Sequence, residues 1–201
     1  MAFDFSIPAQ RFETIRDQVA AIIAAEFEAQ LVLRPTETEF GADVWIERGI
    51  PYDREELPAV KVYFASANYS DENRITSKGT CQINVEVTAK GVSNDTDYGD
   101  KLAAKTCQKL LGAIRYILKH PTYNRLALSG RPYIGGINVT DIRIAEPTEQ
   151  ADAFRIIAGQ LVLLVRYEEQ NGGLNSDTQE GTYTSIKLDE TNKGIKISKI
   201  I

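Results

Sequence analysis

Thr80-Cys-Gln-Ile-Asn-Val-Glu-Val-Thr-Ala-Lys90 decides the fold of this chain, together with Phe154-Arg-Ile-Ile-Ala-Gly-Gln-Leu-Val-Leu-Leu-Val-Arg-Tyr167. In the first stretch Cys81, Ile83, Val85, Val87 and Ala89 alternate with Gln82, Asn84, Glu86, Thr88 and Lys90. Successive side chains of a strand point to opposite faces, so this period of two predicts a half-buried strand in an antiparallel sheet. The second stretch is long and apolar on both faces, which predicts the spine of that sheet. The whole block from Gly79 to Glu169 carries no recognisable catalytic equipment, so assembly is expected of it rather than catalysis.

Working outward, Gly135-Gly-Ile-Asn-Val-Thr-Asp-Ile-Arg-Ile144 and 154–167 predict an antiparallel pair around Glu146–Asp152. On the amino-terminal side, Ala59–Ala65 also alternates. It is expected to form a hairpin with Thr80–Lys90 through a long polar loop, Ser66–Lys78. Two helices complete the pattern. In the first, Ser6 is the expected cap and Pro8 suits the first turn. Phe12, Ile15, Val19, Ile22, Ile23 and Phe27 then recur at helical spacing, opposite Arg11, Arg16, Asp17 and Glu28, and the helix is expected to end near Gln30. The second follows Asn94-Asp-Thr-Asp97, with Tyr98, Leu102, Thr106, Leu110, Ile114 and Ile117 as its stripe, broadened by Ala103, Leu111, Ala113 and Leu118. Asp95, Asp97 and Asp100 at its start and Arg115, Lys119 and His120 at its end suit the helix dipole, and Pro121 stops it. Between helix one and the hairpin, Leu31–Leu33 and Asp43–Glu47 are candidate short strands, with Trp45 read as a packing anchor. Arg48-Gly-Ile-Pro-Tyr-Asp-Arg-Glu-Glu-Leu-Pro58 is loop.

The fold class expected is α+β, a mainly antiparallel sheet with two principal helices packed on it and a C-terminal β-hairpin extension. Residues 1–168 form the domain, 169–181 a polar linker and 182–201 an arm. In the arm Tyr183–Leu188 and Gly194–Ile200 flank Asp189-Glu-Thr-Asn-Lys193. Two strands alone are marginal in water, so the arm is expected to dock on this chain's own sheet edge or on a neighbour's.

Composition narrows the function. A chain of 201 residues fits one domain with a sizeable core. A net charge of −5 argues against tightly held DNA or acidic lipid, though not against nucleic acid passing nearby. The start, Met-Ala-Phe-Asp-Phe-Ser6, shows no basic region followed by an apolar run, so no signal peptide is expected, and no stretch has membrane-span length. Cys81 and Cys107 are expected to be free buried thiols, with cytoplasm as the default compartment.

No enzyme is expected, and no cofactor or metal. His120, the single histidine, lies between Lys119 and Pro121 at a helix end and reads as a terminal helix residue. Asp95-Thr-Asp97-Tyr-Gly-Asp100 lacks the glycine and glutamate placement of a calcium loop and reads as a cap. Glu86-Val-Thr-Ala-Lys90 has the wrong spacing for a nuclease metal site. Gly130, Gly135 and Gly136 precede a strand rather than a helix, which rules against a phosphate cradle. Lys101, Lys105 and Lys109 recur every four residues. They read as a solvated helix face or, as interface candidates, as partners for acidic groups of a neighbouring subunit.

The order of elements carries one resemblance. A leading helix, a hairpin, a helix ending in Leu118-Lys-His-Pro121 and two strands finishing in Leu161-Val-Leu-Leu-Val-Arg-Tyr-Glu168 resemble the tail terminator (tail completion, minor tail) proteins of long-tailed phages. The resemblance covers residues 8–168; residues 169–201 do not match the family pattern. It implies a structural virion protein forming a ring, usually of six subunits, that caps the tail tube and receives the neck or head connector. The implied partners are copies of itself, the tail tube protein, the connector and DNA passing through the lumen without specific binding; no membrane is involved. It implies a virion location after assembly in the host cytoplasm. On this reading Ser66–Lys78 faces the lumen or the adjoining ring, and Ile186, Leu188, Ile195 and Ile197 pack on an adjacent chain. The alternatives are a neck or head–tail joining protein and, further off, a metal-dependent nuclease.

Overall fold

The computed structural model describes residues 10–72, 76–94, 96–123, 125–126, 134–145, 154–170, 190–191 and 194–195. Its centre is the alternating strand read first from the sequence. That strand, β3 (Thr76–Val92), buries Cys81, Ile83, Val85, Val87 and Ala89. It lies between β2 (Ala59–Glu72) and β5 (Phe154–Gln170), both antiparallel to it. The edges are β1 (Asp43–Ile46), parallel to β2, and β4 (Ile134–Ile144), antiparallel to β5. The strand order is therefore β1-β2-β3-β5-β4, a five-stranded mixed sheet.

Helix α1 (Arg11–Leu33) packs over β1 and β2, and α2 (Gly99–Lys119) over β3 and β5, so the fold is α+β as expected. One cluster joins Ile15, Val19, Ile23 and Phe27 of α1 and Cys107, Leu110, Leu111 and Ile114 of α2 to the buried row of the sheet. Each fully buried aliphatic side chain contributes about 1.5–3 kcal/mol. Two glycines set how closely α2 lies on the sheet. A Cβ on Gly159 would stand 2.6 Å from Leu111 Cδ1 and 2.8 Å from Cys107 Sγ. One on Gly91 would stand 1.9 Å from the Gly99 carbonyl oxygen.

Several expectations are corrected. Leu31–Leu33 is no strand but the last turn of α1, because the intrahelical ladder runs on until Arg34 donates to Gln30 O at 2.8 Å. The α1 cap is Gln10, whose N–H donates to Glu13 Oε2 at 2.8 Å; Ser6 and Pro8 lie outside the described residues. From the sheet, the Glu169 carboxylate accepts the Arg11 N–H at 2.8 Å. An anion there satisfies an orphan donor and complements the dipole. The polar stretch 66–78 is largely not a loop. Ser66–Glu72 pairs with Ser77–Gln82, with one register shift just before Ser66 and another between Tyr69 and Asp71, and Thr76–Lys78 pairs in turn with Glu168–Gln170. Strand β5 thus runs two residues into the stretch read as a linker.

Helix α2 is capped from outside its acidic turn. Ser93 Oγ accepts the Gly99 N–H at 2.9 Å, while Asn94 Oδ1 accepts the N–H groups of Thr96 and Asp97. Asp97 pairs with Lys101 and Asp100 Oδ1 accepts the Lys101 N–H; Asp95 lies outside the described residues. Tyr98, expected in the buried stripe, is 79% exposed, since the helix enters with Gly99 against Gly91. At the far end His120 is the C-cap residue, as expected. Of the arm, Glu190–Thr191 (β6) pairs antiparallel with Gly194–Ile195 (β7), so pairing begins inside the stretch read as its turn.

Candidate functional site

The helix-free face of the sheet carries a pinned loop. Trp45 on β1 and Lys61 on β2 stand side by side there, with Glu86 next in the row. After β1, Glu47 turns the chain at φ +50°, and its carboxylate takes over the ladder by accepting the Phe64 N–H at 2.8 Å. The Arg48 guanidinium lies 4.4 Å from the Trp45 ring centroid and 4.6 Å from that of Tyr52, and it pairs with Glu56 at 2.7 Å. Lys90 Nζ fastens the loop by donating to Arg54 O. Burial pushes the Tyr52 phenol up to about 12, with nearby Glu86 adding to the shift. Its hydroxyl is buried without a hydrogen-bond partner among the described residues. The Arg48 hydrogen bond holds the Glu56 carboxyl below its usual range. Trp45, expected as a packing anchor, stays partly exposed at the sheet edge and carries the Arg48 guanidinium over its ring.

A cleft of about 470 Å³ opens between the C-terminal halves of α1 and α2, lined by Glu26, Arg34, Phe40, Tyr116, His120 and Tyr123. Tyr116, His120 and Tyr123 line up with ring centroids 6.3 and 6.4 Å apart. Tyr123 donates to Glu26 Oε1, and that bond raises its pKa. His120 Nδ1 accepts the Thr122 N–H at 3.3 Å, and no serine, threonine or cysteine side chain among the described residues is hydrogen-bonded to the imidazole. The pairing of nucleophile and base that covalent catalysis needs is therefore not formed there. Among the described residues no group of three or more His, Cys, Asp and Glu is placed to hold a metal ion.

The lysine stripe divides. Lys101 pairs with Asp97, and Lys109 bridges Glu37 at 2.9 Å and Glu39, with its ammonium 5.6 Å from the Phe40 ring centroid. The Glu37 carboxyl is held below its usual range by that Lys109 bond. Lys105 is exposed and takes part in none of the ion pairs among the described residues. Of the apolar interface candidates, Ile195 is on β7, and Ile186, Leu188 and Ile197 lie outside the described residues. Cys81 and Cys107 are free and buried, and Cys107 Sγ donates to Val87 O at 3.7 Å.

What the sequence did not single out is the pair of sheet edges. On β1, Trp45 is 37% and Ile46 44% exposed; on β4, Ile142 is 41% and Ile144 38% exposed. Both stretches were read as strands, but not that either would lie outermost. No family model matches the chain, and no curated protein matches it. No helix among the described residues is long and apolar enough to cross a membrane.

Proposed function

We propose that the chain is a structural subunit of a phage tail terminator ring, which ends the tail tube and offers a docking surface to the neck or head connector. The observation that carries this reading is architectural: helix, hairpin, helix and two strands occur in that order, with both helices on one side of the sheet. Supporting it, apolar side chains are exposed along both sheet edges, whose outer sides have no partner strand among the described residues and so invite pairing with another chain. The −5 charge suits a lumen that lets DNA pass without holding it. The long ribbon made by β2, β3 and the end of β5 is the part that reaches toward the lumen or the adjoining ring. The arm, with Ile186, Leu188, Ile195 and Ile197, packs on an adjacent copy.

The test is the mass of the purified complex, alone and with tail tube protein, together with imaging of particles that lack the chain. A ring that binds tube, and tubes of uncontrolled length in its absence, are expected. Finished tails left unattached to heads would instead assign a joining role. A monomer that cleaves DNA when a divalent metal is added would overturn the structural reading.

A further inference from the structure

The two edges of the sheet match each other. β1 runs parallel to β2, and each later neighbour is antiparallel, so β1 and β4 point in opposite directions. Two copies set side by side in the same orientation therefore bring β4 against β1 antiparallel. Peptide planes fix which groups look outward. Glu47 donates its N–H inward to Val62 O at 3.0 Å, and Ala145 donates inward to Ala158 O at 2.8 Å. In a trans peptide the preceding carbonyl points the other way, so the Ile46 and Ile144 carbonyls face out. Strand alternation turns the backbone groups of Val44 and Ile142 outward as well.

The side chains of these four residues share a face. Two rows of partners cross the sheet on its helix side, Ile46–Val62–Val85–Leu161–Ile142 and Val44–Val60–Val87–Gly159–Ile144. An antiparallel joint requires opposed residues whose backbone groups both face outward and whose side chains stand on one face. Ile142 opposite Ile46, with Ile144 opposite Val44, meets both requirements and continues both rows without a step. We propose that β4 of one copy adds to β1 of the next in this register, head to tail. The joint covers Ile46, Ile142 and Ile144 and places Arg143 opposite Trp45 on the other face. It is heterologous, so it propagates into a ring or a filament rather than closing as a pair. It deepens the ring reading above by naming the contact, and it rests on that reading for closure.

Cysteine pairing tests it. Ile46→Cys and Ile142→Cys are made separately and mixed under oxidising conditions; opposed residues of this kind lie about 5.5 Å apart between Cα atoms, within disulfide range. The mixture is expected to give a cross-linked dimer on a non-reducing gel and each variant alone none. The double variant is expected to give a ladder. Cys81 and Cys107 are buried and do not compete. Ile144→Asp is expected to reduce the complex to the 22.3 kDa monomer while it still unfolds in one cooperative transition. No cross-link in the mixture, while the parent still runs as a large complex, overturns this joint and leaves the ring standing. An Ile144→Asp complex of unchanged mass does the same, and would mean that another strand occupies the β4 edge. A parent that is monomeric at every concentration overturns both readings.

Discussion

Replacing Gly91 by alanine tests how α2 is seated. The added Cβ would stand 1.9 Å from Gly99 O, 2.6 Å from Ala103 N and 2.8 Å from Gly99 C, all backbone atoms of the helix start. Ordinary contact is about 3.5 Å, so the first turn of α2 has to retreat by about 1.5 Å. That retreat loosens Ala103 and Cys107, both fully buried. Overpacking costs about 1–3 kcal/mol, and with no flexible side chain to yield, the upper end applies. The entropy gained by removing a glycine, about 0.4–1 kcal/mol, does not offset it. Gly99→Ala is the control: its nearest contacts are 2.8 Å to Gly91 O and 3.1 Å to Ser93 N, so about 1 kcal/mol is expected. In urea, followed by Trp45 fluorescence at fixed protein concentration, a slope of about 2 kcal/mol/M puts the Gly91→Ala midpoint about 1.5 M lower. A Gly91→Ala midpoint equal to the parent's, or a larger shift for Gly99→Ala, would refute the backbone-to-backbone contact.

The other predictions concern single contacts. Ser93→Ala removes the acceptor of the Gly99 N–H and is expected to cost about 1 kcal/mol of unfolding free energy. Glu169→Ala strips the long-range cap from α1; a loss of about 1 kcal/mol is expected, measured as a lower denaturation midpoint. Tyr52→Phe deletes a buried hydroxyl that has no partner among the described residues, so thermal unfolding should show an unchanged or raised midpoint. The depressed Glu37 carboxyl contributes stability that is fully present above the usual 4.5 and lost as pH falls through its lower folded value. Stability of Lys109→Met should therefore fall less steeply than the parent's on acidification below about pH 5, and identical acid limbs would discard the Lys109 bridge.

The layers were legible in the sequence because one face of β3 is apolar and fully buried from Cys81 to Ala89 while the other is polar, with Gln82, Glu86 and Lys90 half-buried, and because each helix carries one apolar stripe. Segments without a regular apolar period were misread. Ser66–Lys78 has no alternation, yet bulged pairing with β3 and β5 makes most of it strand. Val32 and Leu33 look like strand residues, but they are exposed side chains at a helix end. Tyr98 has helical spacing from Leu102 but stands outside the packed face because two glycines fix the entry of α2. The α1 cap supplied by Glu169 joins residues 158 positions apart, beyond the reach of any local motif. As for the site, β1 and β4 were both readable as strands, but their edge positions depend on strand order, which a period of two does not encode.

The two thiols have a use that their burial creates. Cys81 belongs to the sheet layer and Cys107 to the helix layer, and burial pushes them up to about 12 and about 11. A thiol reagent reacts with the thiolate, so labelling under native conditions waits for the layers to part and admit water. The labelling rates thus act as two clocks on one opening event. Equal rates mean that the helical layer lifts as a unit, and a faster Cys107 means that α2 detaches while the strands stay closed.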